Sequence, residues 1–287
     1  KTMSKLFLAA ICAALCAGNL MADEASAKAL AEAIAKDHKV TNRDKFYGFD
    51  RVVFEFEGHE AWIVSPSCAP REGKPWTWCM QWAYSFVKRI NVPQMLADGY
   101  HHVTIDTFEH RMDAEGLRVS AAFQRYLVEK LGFAKKANLI GMSWGGFFSI
   151  RYTVNYPDNV GRIYLDAPLL TFYNFMPNGV PEKAAEEMKS WGVNKPADDY
   201  MTSPEMPLNM AERLAKLDIP IFMVYNGQDE SVPRGTCDQF VNRVKAVRGE
   251  KDFIVKLRRL QGHHPHGFEL DETPIKDFFD GKQLTTY

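Results

Sequence analysis

The sequence predicts an α/β fold with a mostly parallel central sheet and helices on both faces. Strand-like and helix-like segments alternate from Trp78 onward, as parallel sheets require. An antiparallel hairpin precedes them. Gly141-Met142-Ser143-Trp144-Gly145 then stands between a short apolar strand and the start of a helix. A serine on such a strand-to-helix turn presents its hydroxyl at the edge of a sheet.

In chain order, the first segment reads as a targeting signal. Lys1 and Lys5 flank a short basic stretch, Leu6 to Gly18 is apolar, and Leu20-Met21-Ala22 ends the run on a small residue. The run is too short to span a bilayer and polar sequence follows it. Residues 1–22 are therefore expected to be a signal peptide, and 23–287 one domain exported to the periplasm or beyond. A lipoprotein anchor at Cys12 or Cys16 ranks second, because bulky Ile11 and Leu15 precede those cysteines. From Glu24 to Lys39, Ala29, Leu30, Ala33 and Ile34 recur at helical spacing. Arg51–Glu57 and Glu60–Ser65 alternate apolar and polar residues around Gly58-His59, a hairpin signature. Ser67–Lys74 reads as loop, Trp78–Ala97 as mostly helix, Gly99–Asp106 as strand and Glu115–Leu131 as helix. Lys136–Ile140, Val160–Asp166, Asp218–Asn226 and Asp252–Leu257 read as further strands. Leu169 to Asn209 breaks the alternation with Pro, Met and aromatic residues and a short helical stretch at Glu182–Ser190. It is expected to cover the site as a small lid, with Phe172 and Trp191 lining a substrate pocket.

The chemistry is carried by three separated residues. The glycines of G-x-S-x-G are needed because the turn is crowded. After the apolar strand Asp218–Asn226 comes Gly227-Gln228-Asp229-Glu230, where an acid could orient a histidine. Asp229 is preferred; Glu230 would point to the other side of the turn. Past the last strand lies Gly262-His263-His264-Pro265-His266. No Cys, Asp or Glu lies inside the H-H-P-H run to complete a familiar ligand set, so catalysis is preferred there over a metal. His263 follows a glycine at the strand end and is the first choice for the base, with His266 second and His264 third.

The order Ser143, Asp229, His263 is that of the α/β-hydrolases. The chain resembles that superfamily from about Arg51 to Gly281. More narrowly, it resembles secreted bacterial hydrolases that include carbohydrate esterases. The matching segments are Gly73–Trp78, Gly141–Gly146, Tyr164–Pro168, Asp229–Pro233 and Gly262–Phe268. The resemblance implies a serine hydrolase acting on an ester. In that group arginine often follows the nucleophile and the second Trp of Pro-Trp-x-Trp; here Trp144 and Cys79 stand there. A preference for an acidic sugar is therefore not carried over.

The expected mechanism is nucleophilic attack by Ser143, with His263 as base and Asp229 holding its tautomer. The oxyanion would be met by the backbone N–H of Trp144 and by a second donor within Pro75–Cys79, with Trp76 and Trp78 as candidates. No cofactor and no metal are expected. With 35 basic and 36 acidic side chains, the formal charge of −1 gives no excess to neutralise phosphates, which disfavours nucleic acid. The expected partner is a small-molecule or polysaccharide ester, with no transmembrane segment in the mature chain. The competing readings are a serine peptidase of the same fold and a non-catalytic binding protein on this scaffold. The cysteines beyond the signal are Cys68, Cys79 and Cys237. Cys68 and Cys79 either pair or stay as thiols.

Overall fold

A computed structural model of the chain describes residues 26–171, 189–191, 202–264 and 274–284. Within them, residues 26–37 form helix α1. Its apolar stripe buries Ala31 and Ile34 against Val52, Phe54 and Phe56. Strand β1 (Val40–Phe46) is a feature that the sequence reading did not anticipate. Its residues are polar because it is an edge strand, and charge on an edge discourages pairing with other chains. Strands β2 (Phe49–Phe56) and β3 (His59–Val64) form the expected hairpin.

The sheet then turns parallel. Its strands are β4 (Trp76–Cys79), β5 (His101–Ile105), β6 (Ala137–Met142), β7 (Val160–Asp166), β8 (Ile221–Gln228) and β9 (Phe253–Gln261). The described strands run in the order β1-β2-β3-β5-β4-β6-β7-β8-β9. From β4 onward each neighbouring pair is parallel. Trp78–Ala97 is thus not mostly helix. Residues 76–79 are strand, 80–91 are loop and turn, and only Val92–Ala97 is helical (α2). A strand of four buried residues is too short to show a period of two, and the aromatic loop after it imitates an amphipathic run.

Alternate strand residues point to opposite faces, and the two faces bury separate cores. On one face, Trp76, Trp78, Leu139, Ile163, Leu165 and Met223 pack under four helices. These are α3 (Ala114–Glu129), α4 (Trp144–Asn155), α5 (Pro207–Ala215) and α6 (Arg234–Arg248). On the other, Cys79, Ile140, Met142, Tyr164, Phe222 and Val224 pack under α2 and α7 (Ile275–Phe279). The predicted parallel sheet with helices on both faces is what forms. Such a sheet offers its ligand site at the carboxyl ends of its strands.

Of the predicted lid, residues 169–171, 189–191 and 202–209 are described; Lys189–Trp191 is a short 3-10 turn, and Pro207–Asn209 already belong to α5. The rest, with Phe172, lies outside the described residues, as do the predicted signal 1–22 and His266. Cys68 and Cys79 are not joined to each other: the Cys79 thiol donates to the Gln81 carbonyl at 3.1 Å and Cys68 to that of Ala97 at 3.4 Å. Among the described residues no helix is long and apolar enough to cross a membrane.

Candidate active site

Strand β6 ends at Met142 and α4 begins at Trp144, so Ser143 alone makes the turn. Its φ of 50° and ψ of −116° are values that an L-residue adopts only under constraint. The constraints are visible. The Ser143 N–H donates to the Asp166 carbonyl at 3.0 Å, and the Ser143 carbonyl accepts from Gly146 at 2.9 Å and Leu169 at 2.8 Å. The flanking glycines permit the close approach. A Cβ on Gly141 would lie 2.6 Å from Ser149 Oγ, and one on Gly146 would lie 2.3 Å from Pro168 Cβ. The side chain of Ser143 is half-buried, and the next residue, Trp144, is buried edge-on against Phe108 with ring centroids 5.5 Å apart.

Asp229 follows β8 immediately. Its Oδ1 accepts the N–H groups of Ser231 and Val232 at 2.8 Å each, and its Oδ2 lies 2.7 Å from His263 Nδ1. Two backbone donors fix the carboxylate, which then fixes the ring. The His263 backbone is held as well: Asn226 Nδ2 donates to its carbonyl at 3.0 Å, and Gly262 N–H donates to the Gln228 carbonyl at 2.9 Å. Glu230, the weaker candidate, is exposed.

A profile described as the alpha/beta hydrolase fold matches residues 74–199. The chain has the α/β-hydrolase fold. Solved structures agree. An esterase of Pyrococcus furiosus is 15% identical, with a TM-score of 0.53 over 85% of this chain and 91% of that one. A puromycin-hydrolysing peptidase of Mycobacterium tuberculosis is 12% identical, with a TM-score of 0.61 over 85% of this chain and 40% of that one. An acylaminoacyl peptidase of Pyrococcus horikoshii is 11% identical, with a TM-score of 0.58 over 87% and 51%. The chain thus spans about half or less of the two peptidases. No curated protein matches it in sequence.

The hydrolase fold relocates one set of expected residues. Trp76 and Trp78 lie in β4, between β5 and β6, where the ladder on both sides takes up the strand's backbone groups. Their rings are core: they stack on each other at 5.8 Å, and Trp78 meets Phe123 and Tyr152 edge-on. The segment that reaches the serine turn comes just after the strand. A Cβ on Gly145 would lie 3.2 Å from the Gln81 backbone nitrogen. Pro75–Cys79 stops two residues short of Gln81, because the end of a four-residue strand is not visible in sequence. Trp191 packs on Phe147 with ring centroids 5.8 Å apart, under the Arg151 guanidinium, and its Nε1 donates to the Arg111 carbonyl at 3.0 Å.

The sequence reading also missed a second carboxylate–histidine pair. Asp166, at the end of β7, is fully buried; its Oδ1 lies 3.1 Å from His264 Nδ1 and its Oδ2 accepts from Arg89 Nη2 at 2.7 Å. The Tyr164 hydroxyl donates to the same Oδ2 at 3.2 Å. The His263 and His264 rings are 4.0 Å apart. Asp166 therefore joins the two halves of the site: its carbonyl holds Ser143, and its carboxylate holds the neighbour of His263. The only sequence hint was an acid ending a strand at Tyr164-Leu165-Asp166.

Desolvation lowers the Arg89 pKa and the Asp166 charge opposes that shift, so the cation depends on its partner. Asp166→Asn leaves a largely buried guanidinium facing a neutral group. It is expected to cost about 3–5 kcal/mol of stability in urea denaturation. A loss below about 1 kcal/mol, the worth of a surface pair, would show that water reaches this network.

Proposed function

We propose that the chain is a serine hydrolase that cleaves carboxylic esters through Ser143, His263 and Asp229. The observation that carries this reading is the 2.7 Å pair of Asp229 Oδ2 and His263 Nδ1, which follows the carboxyl ends of β8 and β9 in the parallel sheet whose β6 ends at Ser143 in a strained strand-to-helix turn. His263 takes the Ser143 proton on Nε2 as the oxygen attacks the ester carbonyl, then returns it to the leaving alcohol. Asp229 keeps the other ring proton on Nδ1 and stabilises the imidazolium. Water repeats the sequence on the acyl-enzyme and releases the acid. The tetrahedral oxygen is met by the backbone N–H groups of Trp144 and of Gln81, the latter in place of Trp76 and Trp78.

Carbohydrate acyl or methyl esters are the substrate class that we favour. Trp82, on the loop after β4, is 41% exposed and packs at 5.2 Å against Phe108, which itself meets Trp144. A part-exposed indole linked through Phe108 to Trp144, the residue after Ser143, suits stacking on a sugar ring. Export, on the basis of residues 1–22, would bring the enzyme to such substrates.

A fluorophosphonate probe tests the reaction class. Stoichiometric labelling that maps to Ser143 by peptide mass spectrometry is the expected result. Purified protein that stays unlabelled while folded would sink the serine-hydrolase reading. A comparison of acetylated and methyl-esterified glycans with matched amides then separates an esterase from a peptidase.

A further inference from the structure

We infer that His59, Glu109 and His110 form a binding site for a divalent cation of the zinc type, apart from the proposed triad. His59 opens β3, while Glu109 and His110 lie on the 3-10 turn Phe108–His110 after β5. One ligand atom from each lies within 4.8 Å of the others. Glu109 Oε1 is 3.6 Å from His59 Nδ1 and 3.6 Å from His110 Nε2. Ligands about 2.1 Å from a tetrahedral ion stand about 3.4 Å apart, so both spacings need only a small closure. Two imidazoles and a carboxylate suit zinc, cobalt or nickel better than calcium or magnesium, which prefer all-oxygen sets.

The surroundings orient these ligands. His59 Nδ1 lies 3.0 Å from the Asp106 carbonyl oxygen. A proton on that nitrogen donates to the carbonyl; a cation bound through Nδ1 displaces the proton, and the ring turns away from that oxygen to receive it. His110 turns its other ring nitrogen toward Asp113, with Nδ1 at 3.9 Å from Oδ1. At that distance Asp113 adds a nearby negative charge but no hydrogen bond, and its Oδ1 accepts the Gly116 N–H at 2.8 Å. His59, Glu109, Glu60 and Asp106 line a surface cavity of about 480 Å³. Arg111 lines it too and opposes a cation, but its guanidinium lies over the Phe108 ring at 3.7 Å.

A cation here would brace a turn with two other duties. Phe108 packs on Trp144, the residue after Ser143. The carbonyls of His110 and Arg111 anchor Ser190 Oγ at 3.1 Å and Trp191 Nε1 at 3.0 Å. The ion would thus stiffen the wall of the site without touching the reacting atoms.

Titration of the full chain with Zn²⁺ by calorimetry, and with Co²⁺ by visible absorption, tests this. One ion per chain is expected, with a Co²⁺ d–d band. Glu109→Gln, a change on an exposed side chain that leaves folding intact, and His110→Ala should each weaken binding at least about ten-fold. Binding that is absent at millimolar Zn²⁺, or unchanged in both variants, would overturn the site. The measurement is made on Ser143→Ala protein, so it stands or falls independently of hydrolysis.

Discussion

Ser143→Ala is expected to lower ester hydrolysis by a factor of the order of 10⁴–10⁶ while the protein stays folded. The factor corresponds to about 5–8 kcal/mol of lost transition-state stabilisation. The loss is this large because His263 has no proton to take once the hydroxyl is gone, and Asp229 then orients an idle base. The stability side follows from the backbone. Alanine at a φ of 50° keeps the strain of the serine turn, since the clash comes from Cβ. Ser143→Gly removes both the hydroxyl and the Cβ, and it should therefore be inactive yet more stable than wild type by about 1 kcal/mol. Hydrolysis of p-nitrophenyl acetate and thermal unfolding read the two effects separately. Activity of Ser143→Ala above a few per cent of wild type would remove this serine from the mechanism. Equal stability of the glycine and alanine variants would show instead that the turn carries no strain.

What the sequence revealed and what it hid divide along physical lines. The positions of Ser143 and Asp229, at the ends of strands, were legible because each is bound to a local pattern: glycines forced by crowding in one case, an apolar strand ending in a polar loop in the other. The alternation from β5 through β9 was legible because buried parallel strands are continuous apolar runs. Strand β1 hid behind its charges, since an edge strand has no buried face to betray its period. The β4 boundary hid because a tryptophan in a strand and one in a loop look alike, so the expected donor fell on Trp76 and Trp78 and not on the loop at Gln81 that approaches the serine turn. The Asp166–His264 pair and the His59–Glu109–His110 cluster join residues 98 and about 50 positions apart. Only the sheet order, which sets β3 beside β5 and the ends of β7, β8 and β9 side by side, brings them together.

Asp229→Asn is expected to lower kcat/KM by about 10⁴ with little change in fold, and the reason lies in which atom faces the histidine. Oδ1 of Asp229 accepts two backbone N–H groups at 2.8 Å, from Ser231 and Val232. In the asparagine variant the amide oxygen must take that position, because the NH₂ group cannot accept. The NH₂ group is then left facing His263 Nδ1 across 2.7 Å, where the carboxylate Oδ2 had been. Nδ1 must now accept, the ring proton moves to Nε2, and Nε2 can no longer receive the proton of Ser143. The variant thus keeps the geometry and inverts the tautomer. Asp229→Ala, which leaves the two backbone donors facing a void, should lose activity and about 1–3 kcal/mol of stability as well. The neighbouring Asp166–His264 pair makes the test sharp. If Asp229→Asn retains more than about a tenth of wild-type kcat/KM, the acid that orients the base is not Asp229. The two rings, 4.0 Å apart, would then exchange roles, with His264 as base and Asp166 as its partner.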